Sequence, residues 1–92
     1  MPPYRVHLAP AAERQLRRLR GAELLALRGV ILALGEDPRP PGAGKLTDRG
    51  LWRIRLRIDR VSWRVVYQVR TRQRLVIVTR VARRDEASYR GL

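Results

Sequence analysis

The sequence has no cysteine, a single histidine and only eight acidic residues among 92. Without cysteine there is no disulfide framework and no thiolate zinc site. That fits a reducing compartment. His7 has no second histidine to work with, and it sits in an alternating segment that points it to solvent. The only adjacent acids are Glu36-Asp37 and Asp85-Glu86, which read as a helix end and a tail, not as an acid/base couple. Ser62 and Ser88 have no histidine nearby in sequence, and no glycine loop resembles a P-loop or a dinucleotide fingerprint. No metal or cofactor is therefore expected. No apolar run reaches the ~18 residues that would span a membrane. No long apolar h-region opens the chain, so no signal peptide is expected. The expected location is the cytoplasm.

What is present is arginine. The net charge is +13, and twenty of the 21 basic residues are arginine, with Lys45 the only lysine. An arginine-for-lysine bias fits a GC-rich or thermophilic source. It does not explain why twelve arginines and one acid, Asp59, lie between Arg49 and Arg84. Such an excess marks an anionic partner, nucleic acid ahead of a membrane surface. The clearest stretch is Trp52-Arg53-Ile54-Arg55-Leu56-Arg57-Ile58. Side chains alternate sides along a strand. One face thus takes Trp52, Ile54, Leu56 and Ile58, and the other takes three guanidinium groups. Like charges that close repel unless an anion sits among them.

The length predicts one domain, residues 1–92, with a modest core. Tyr4, Val6 and Leu8 alternate with Arg5 and His7 as a short strand. Pro10 and Glu13 open a helix with Ala12, Leu16 and Leu19 on one stripe and Arg14, Arg17 and Arg18 outside. Gly21 breaks it. A second helix runs from about Ala22 to Leu34, with Leu24, Leu27, Ile31 and Leu34 on a stripe, and Asp37-Pro38 stops it. Residues Arg39 to Gly44 form a loop. Strands follow at Trp52–Ile58, Ser62–Arg70 and Arg74–Arg83, the last two joined by a turn at Thr71-Arg72-Gln73. Residues Asp85–Arg90 form a short helix or coil. The expectation is an α+β fold: a small β-α-α-β-β-β domain with a twisted, mostly antiparallel sheet and an N-terminal helical hairpin on one face. Trp52, Trp63 and Tyr67 alternate with apolar neighbours and read as core.

Arginine binds a phosphodiester bidentately and stabilises charge that grows in a transition state. On residue types alone, the arginine face fits two chemistries. It binds phosphate without cutting, or it promotes attack of a ribose 2′-OH on its own phosphate.

The pattern W-R-I-R-L-R…S-W-R-V-V-Y-Q-V, followed by V-T-R-V-A-R-R-D-E-A-S-Y-R, resembles the RelE/ParE superfamily of bacterial and archaeal toxins. So do the opening Y-R-V-x-L-x-P-x-A-x-R-x-L and the K-L before the first arginine strand. The resemblance covers nearly the whole chain in the right order. It implies a small sheet with two N-terminal helices and a cognate antitoxin partner. RelE-like members cut mRNA on the ribosome, and ParE-like members inhibit DNA gyrase. The positions match the RelE side, which implies a metal-independent endoribonuclease of a type II toxin–antitoxin pair. By this resemblance Arg64 and Arg84 stabilise the phosphorane and hold the scissile phosphate. Tyr89 orients a base, and Arg53 and Arg55 hold the flanking phosphate and the 2′-oxygen. Arg57, Lys45 and Arg83 are expected to contact RNA. RelE has lysines at the positions of Arg53 and Arg55. An arginine effectively cannot give up its proton, so Arg55 is a poor general base. A ParE-like gyrase inhibitor and an inert RNA-binding relative stay open as alternatives.

Overall fold

The computed structural model describes residues 3–84. The expected tail element at Asp85–Arg90, with Tyr89, lies outside the described residues. Within them the order is β1 (Arg5–Leu8), α1 (Pro10–Arg17), α2 (Gly21–Glu36), β2 (Gly44–Thr47), β3 (Leu51–Ile58), β4 (Val61–Arg70) and β5 (Leu75–Arg83). The strands form one sheet in the order β1-β5-β4-β3-β2. β1 runs parallel to β5, and every other pairing is antiparallel. The helices pack on one face, α1 over β5 and β1, and α2 over β1, β5 and β3.

Local chemistry explains the elements. Pro10 occupies the start of α1, where its missing N–H costs nothing, and Glu13 pairs with Arg17 one turn on. Gly21 opens α2 at φ +62°, a conformation that favours glycine. α2 ends before Pro38, where the Asp37 N–H bonds the carbonyl of Ala33. The Asp37 carboxylate then accepts from the backbone N–H of Arg39 at 3.0 Å.

Two details depart from the sequence reading. β2 is a fifth strand, absent from the expected β-α-α-β-β-β order. It is four residues long with a register shift after Lys45, too short and irregular to show alternation. The last strand starts at Leu75, because Arg74 adopts φ +50° and belongs to the turn.

The core lies between the helices and the sheet. It joins Ala12, Leu27, Ile31 and Leu34 to Trp63, Val65, Tyr67, Val69, Val76, Val78 and Val81. A bulge decides which β5 residues reach it. Val66 pairs with Arg80, whereas Tyr67 pairs with Val78, so Thr79 is an extra residue opposite that step. Its hydroxyl donates to the Val66 carbonyl at 3.2 Å. One inserted residue reverses the alternation. Val76 and Val78 face the helices before the bulge, and Val81 faces them after it.

Candidate nucleic-acid interface

The face of the sheet away from the helices is built in cross-strand rows. Residues directly opposite each other share a face. Arg57 faces Ser62. Arg55 faces Arg64, which faces Ala82 on the other side. Arg53 faces Val66, which faces Arg80. No acid falls within β3, β4 or β5. Val66 and Ala82 are nonetheless 2% and 1% exposed, small apolar residues set between arginine stems.

The rows frame a cavity of about 230 Å³ lined by Arg55, Arg57, Ser62, Arg64 and Arg84, with Leu56 and Trp63. Arg84 follows β5 directly, and its backbone N–H bonds the carbonyl of Ser62 at 2.9 Å. That bond seats it beside the start of β4. Four arginines thus contribute to the lining of one small concavity. Two of them, Arg55 and Arg64, face each other across a single strand pair, where side-chain origins are about 5 Å apart. Like charges so placed are unfavourable in isolation and strongly favour a bound polyanion.

The expected site residues separate into groups. Arg55, Arg57, Arg64 and Arg84 come together in the cavity. Arg53 shares the face, but its guanidinium turns to β2, where Nη1 donates to the Gly42 carbonyl at 3.4 Å. Lys45 pairs with Trp52 and so belongs to the helix side of the sheet. Arg83 pairs with Trp63, lies 5.9 Å from its ring centre and also faces the helices. Lys45 and Arg83, expected to contact RNA, thus stand on the opposite side of the sheet from Arg55 and Arg64. β2 was not foreseen, and the bulge at Thr79 turns Arg83 over. The same bulge brings Arg80 to the arginine face, a residue that alternation alone assigns to the core side. Tyr89 lies outside the described residues.

Proton-transfer groups are sparse here. The cavity lining among the described residues is arginine, serine, tryptophan and leucine. His7 is on β1, three strand spacings from β3, about 14 Å away across the sheet. Tyr67 is fully buried in the core, and its hydroxyl donates to the Pro38 carbonyl at 2.8 Å. Burial pushes its pKa up to about 12, so it stays a phenol. Trp63 is a core residue, and Trp52 is half-buried against the core with the Arg39 guanidinium 5.5 Å from its ring centre. No helix among the described residues is long and apolar enough to cross a membrane.

The geometry invites comparison with known proteins. A family model described as the ParE toxin of the type II toxin–antitoxin system, parDE, matches residues 6–88. Among solved structures, a free arginine-to-alanine mutant of E. coli toxin RelE is 24% identical, with a TM-score of 0.76 over 99% of this chain and 93% of that one. The same toxin in complex with an antitoxin RelBc peptide is 28% identical, with a TM-score of 0.70 over 94% and 87%. RelE from the archaeal RelE–RelB complex of Pyrococcus horikoshii OT3 is 25% identical, with a TM-score of 0.72 over 91% and 98%. No curated protein sequence matches the chain.

Proposed function

Because the chain belongs to the ParE toxin family of type II toxin–antitoxin systems, within the wider RelE/ParE superfamily, we propose that it is a ribosome-dependent mRNA endonuclease. The observation that carries this reading is the cavity itself. Arg55 and Arg64 oppose each other directly, and Arg57 and Arg84 complete the arginine lining of the pocket. These include Arg55, Arg64 and Arg84, three of the five residues that the RelE pattern implies for catalysis.

The reaction is transesterification. The ribose 2′-oxygen attacks phosphorus, the bond to the 5′-oxygen breaks, and a 2′,3′-cyclic phosphate remains. Charge builds on the non-bridging oxygens as the phosphorane forms. Arg64 and Arg84 stabilise that charge, and Arg55 acts electrostatically on the 2′-oxygen. The proton from the 2′-OH goes to a group outside this arginine set, because arginine stays protonated. Tyr89 or the ribosome supplies it. The ribosome also presents the mRNA already bent for in-line attack, which accounts for much of the barrier by orientation alone. The partner is a cognate antitoxin, as RelE has in its peptide complex, and the site of action is the cytoplasm.

Primer extension on actively translated mRNA tests this. Discrete cuts on ribosome-bound message, with weak cleavage of naked RNA, are expected. Equal cleavage of naked RNA would remove the ribosome from the mechanism. A second reading is favoured by the ParE description of the family model together with the scarcity of proton acceptors around the cavity among the described residues. It is that the toxin inhibits DNA gyrase. Intact transcripts beside trapped gyrase–DNA complexes would establish it.

A further inference from the structure

We infer that Arg53 is a positioning residue, a clamp that fastens the Gly42–Gly44 segment to the edge of the sheet, and not a phosphate ligand of the arginine face. The inference deepens the RNA-cleavage reading by removing one arginine from its phosphate-binding set.

Gly44 opposes Arg53 across the β2–β3 pair. A Cβ at Gly44 would lie 2.6 Å from Nη2, 2.7 Å from Cζ and 2.9 Å from Nη1 of Arg53. Three guanidinium atoms at nearly equal distance mean that the plane lies flat over the glycine. Only a residue without a side chain leaves room for it. The bond from Nη1 to the Gly42 carbonyl, 3.4 Å, is long, so packing carries more of the clamp than hydrogen bonding does. A lysine has no plane to lay over Gly44.

The clamp is one of several fixtures on the same strip. Tyr67 holds the Pro38 carbonyl, and Arg39 donates to the Thr71 hydroxyl at 3.0 Å while lying near Trp52. Arg53 secures the far end. β2 reaches only to Gly44, and among the described residues no strand pairs with the outer edge of β3 beyond Arg53. The clamp therefore sets where the chain leaves the sheet edge and keeps the flank of Arg55 and Arg57 clear for a strand of RNA.

Two measurements on the full chain separate a clamp from a phosphate ligand. One is the Tm. The other is the slope of log affinity against log salt for a short single-stranded oligouridylate, where each phosphate contact contributes about 0.7. Arg53→Gln is expected to lower the Tm by roughly 4–8 °C and to leave the slope within about 0.2 of wild type. Arg55→Gln is expected to reduce the slope by about 0.7 without lowering the Tm, since it relieves the facing Arg64. Gly44→Ala is expected to lower the Tm of the wild-type chain. In the Arg53→Gln background it leaves the Tm unchanged or raises it by a few degrees, because the obstruction is gone and alanine stiffens the unfolded chain. An Arg53→Gln variant that loses about 0.7 of slope with an unchanged Tm overturns the inference. So does a Gly44→Ala effect that is the same in both backgrounds. If Arg55→Gln also leaves the slope flat, the RNA-binding reading fails, and the Gly44→Ala reversal still decides the clamp.

Discussion

The two faces of β3 carry the same strand to opposite ends of protein chemistry. On the helix side, Trp52, Ile54, Leu56 and Ile58 meet an apolar layer that includes Val65, Tyr67 and Leu27. On the other side, Arg55 opposes Arg64, with Ser62, Val66 and Ala82 for uncharged company in the adjoining pairs. The first face holds the fold together by removing carbon surface from water. The second sets Arg55 directly opposite Arg64, and like charges so opposed work against the fold. A face that works against the fold, kept rigid by one that works for it, is the arrangement expected of a binding site.

That comparison is sharpest where a substitution moves one property and spares the other. Leu27→Ala is expected to have the largest effect on the fold. Leu27 is 0% exposed, and such a truncation costs about 2–5 kcal/mol. Urea unfolding monitored by tryptophan fluorescence measures it, and a cost under about 1 kcal/mol would mean that the helix-side core is looser than described. Arg64→Ala should do the opposite. It is expected to reduce ribosome-bound mRNA cleavage by on the order of 10²–10³ while costing far less stability than Leu27→Ala. Ribosome binding should persist, because other arginines still hold phosphates. If binding is lost instead, Arg64 is an anchor and not a catalytic group.

Tyr67→Phe probes the helix side more gently. Loss of the bond to the Pro38 carbonyl is expected to cost about 1 kcal/mol. It also has a pH signature. The fold raises the Tyr67 pKa to about 12 from the ordinary value of 10.0, so it favours the neutral phenol. That contribution is complete below pH 10 and is lost as pH rises towards 12. Stability curves of wild type and Tyr67→Phe should converge over that window. Parallel curves would show that another group governs the alkaline loss. The smallest effect is expected from Arg17→Ala. Its partnership with Glu13 is exposed, so both the Tm and mRNA cleavage should barely change.

Much of this was legible from residues alone, and the exceptions share a cause. The alternation of Trp52 to Ile58 states its two faces outright, and the helix stripe through Leu27, Ile31 and Leu34 is equally plain. What escapes is anything settled by a pairing between distant segments. Nothing about Thr79 marks a bulge, since threonine is an ordinary strand residue. Yet that one residue turns Arg83 to the helices and Arg80 to the open face. Asp59 and Arg60 form the tight β3–β4 turn at φ +48° and +71° without a glycine to announce it. Arg53 and Arg55 are indistinguishable in sequence. They part company only because Gly44 arrives opposite one of them.

The pairing of strands distant in sequence has a bearing on when the pocket is complete. β3 and β4 meet through a two-residue turn and can zip together early. β1 must wait for β5, with Arg5 pairing with Leu75 about 70 residues later. Arg84 takes its seat against Ser62 only once β5 has docked. A half-made chain still threading out of its own ribosome therefore carries Arg55 and Arg64 but lacks the strand that completes their pocket. The last strand made is thus the one that completes the pocket.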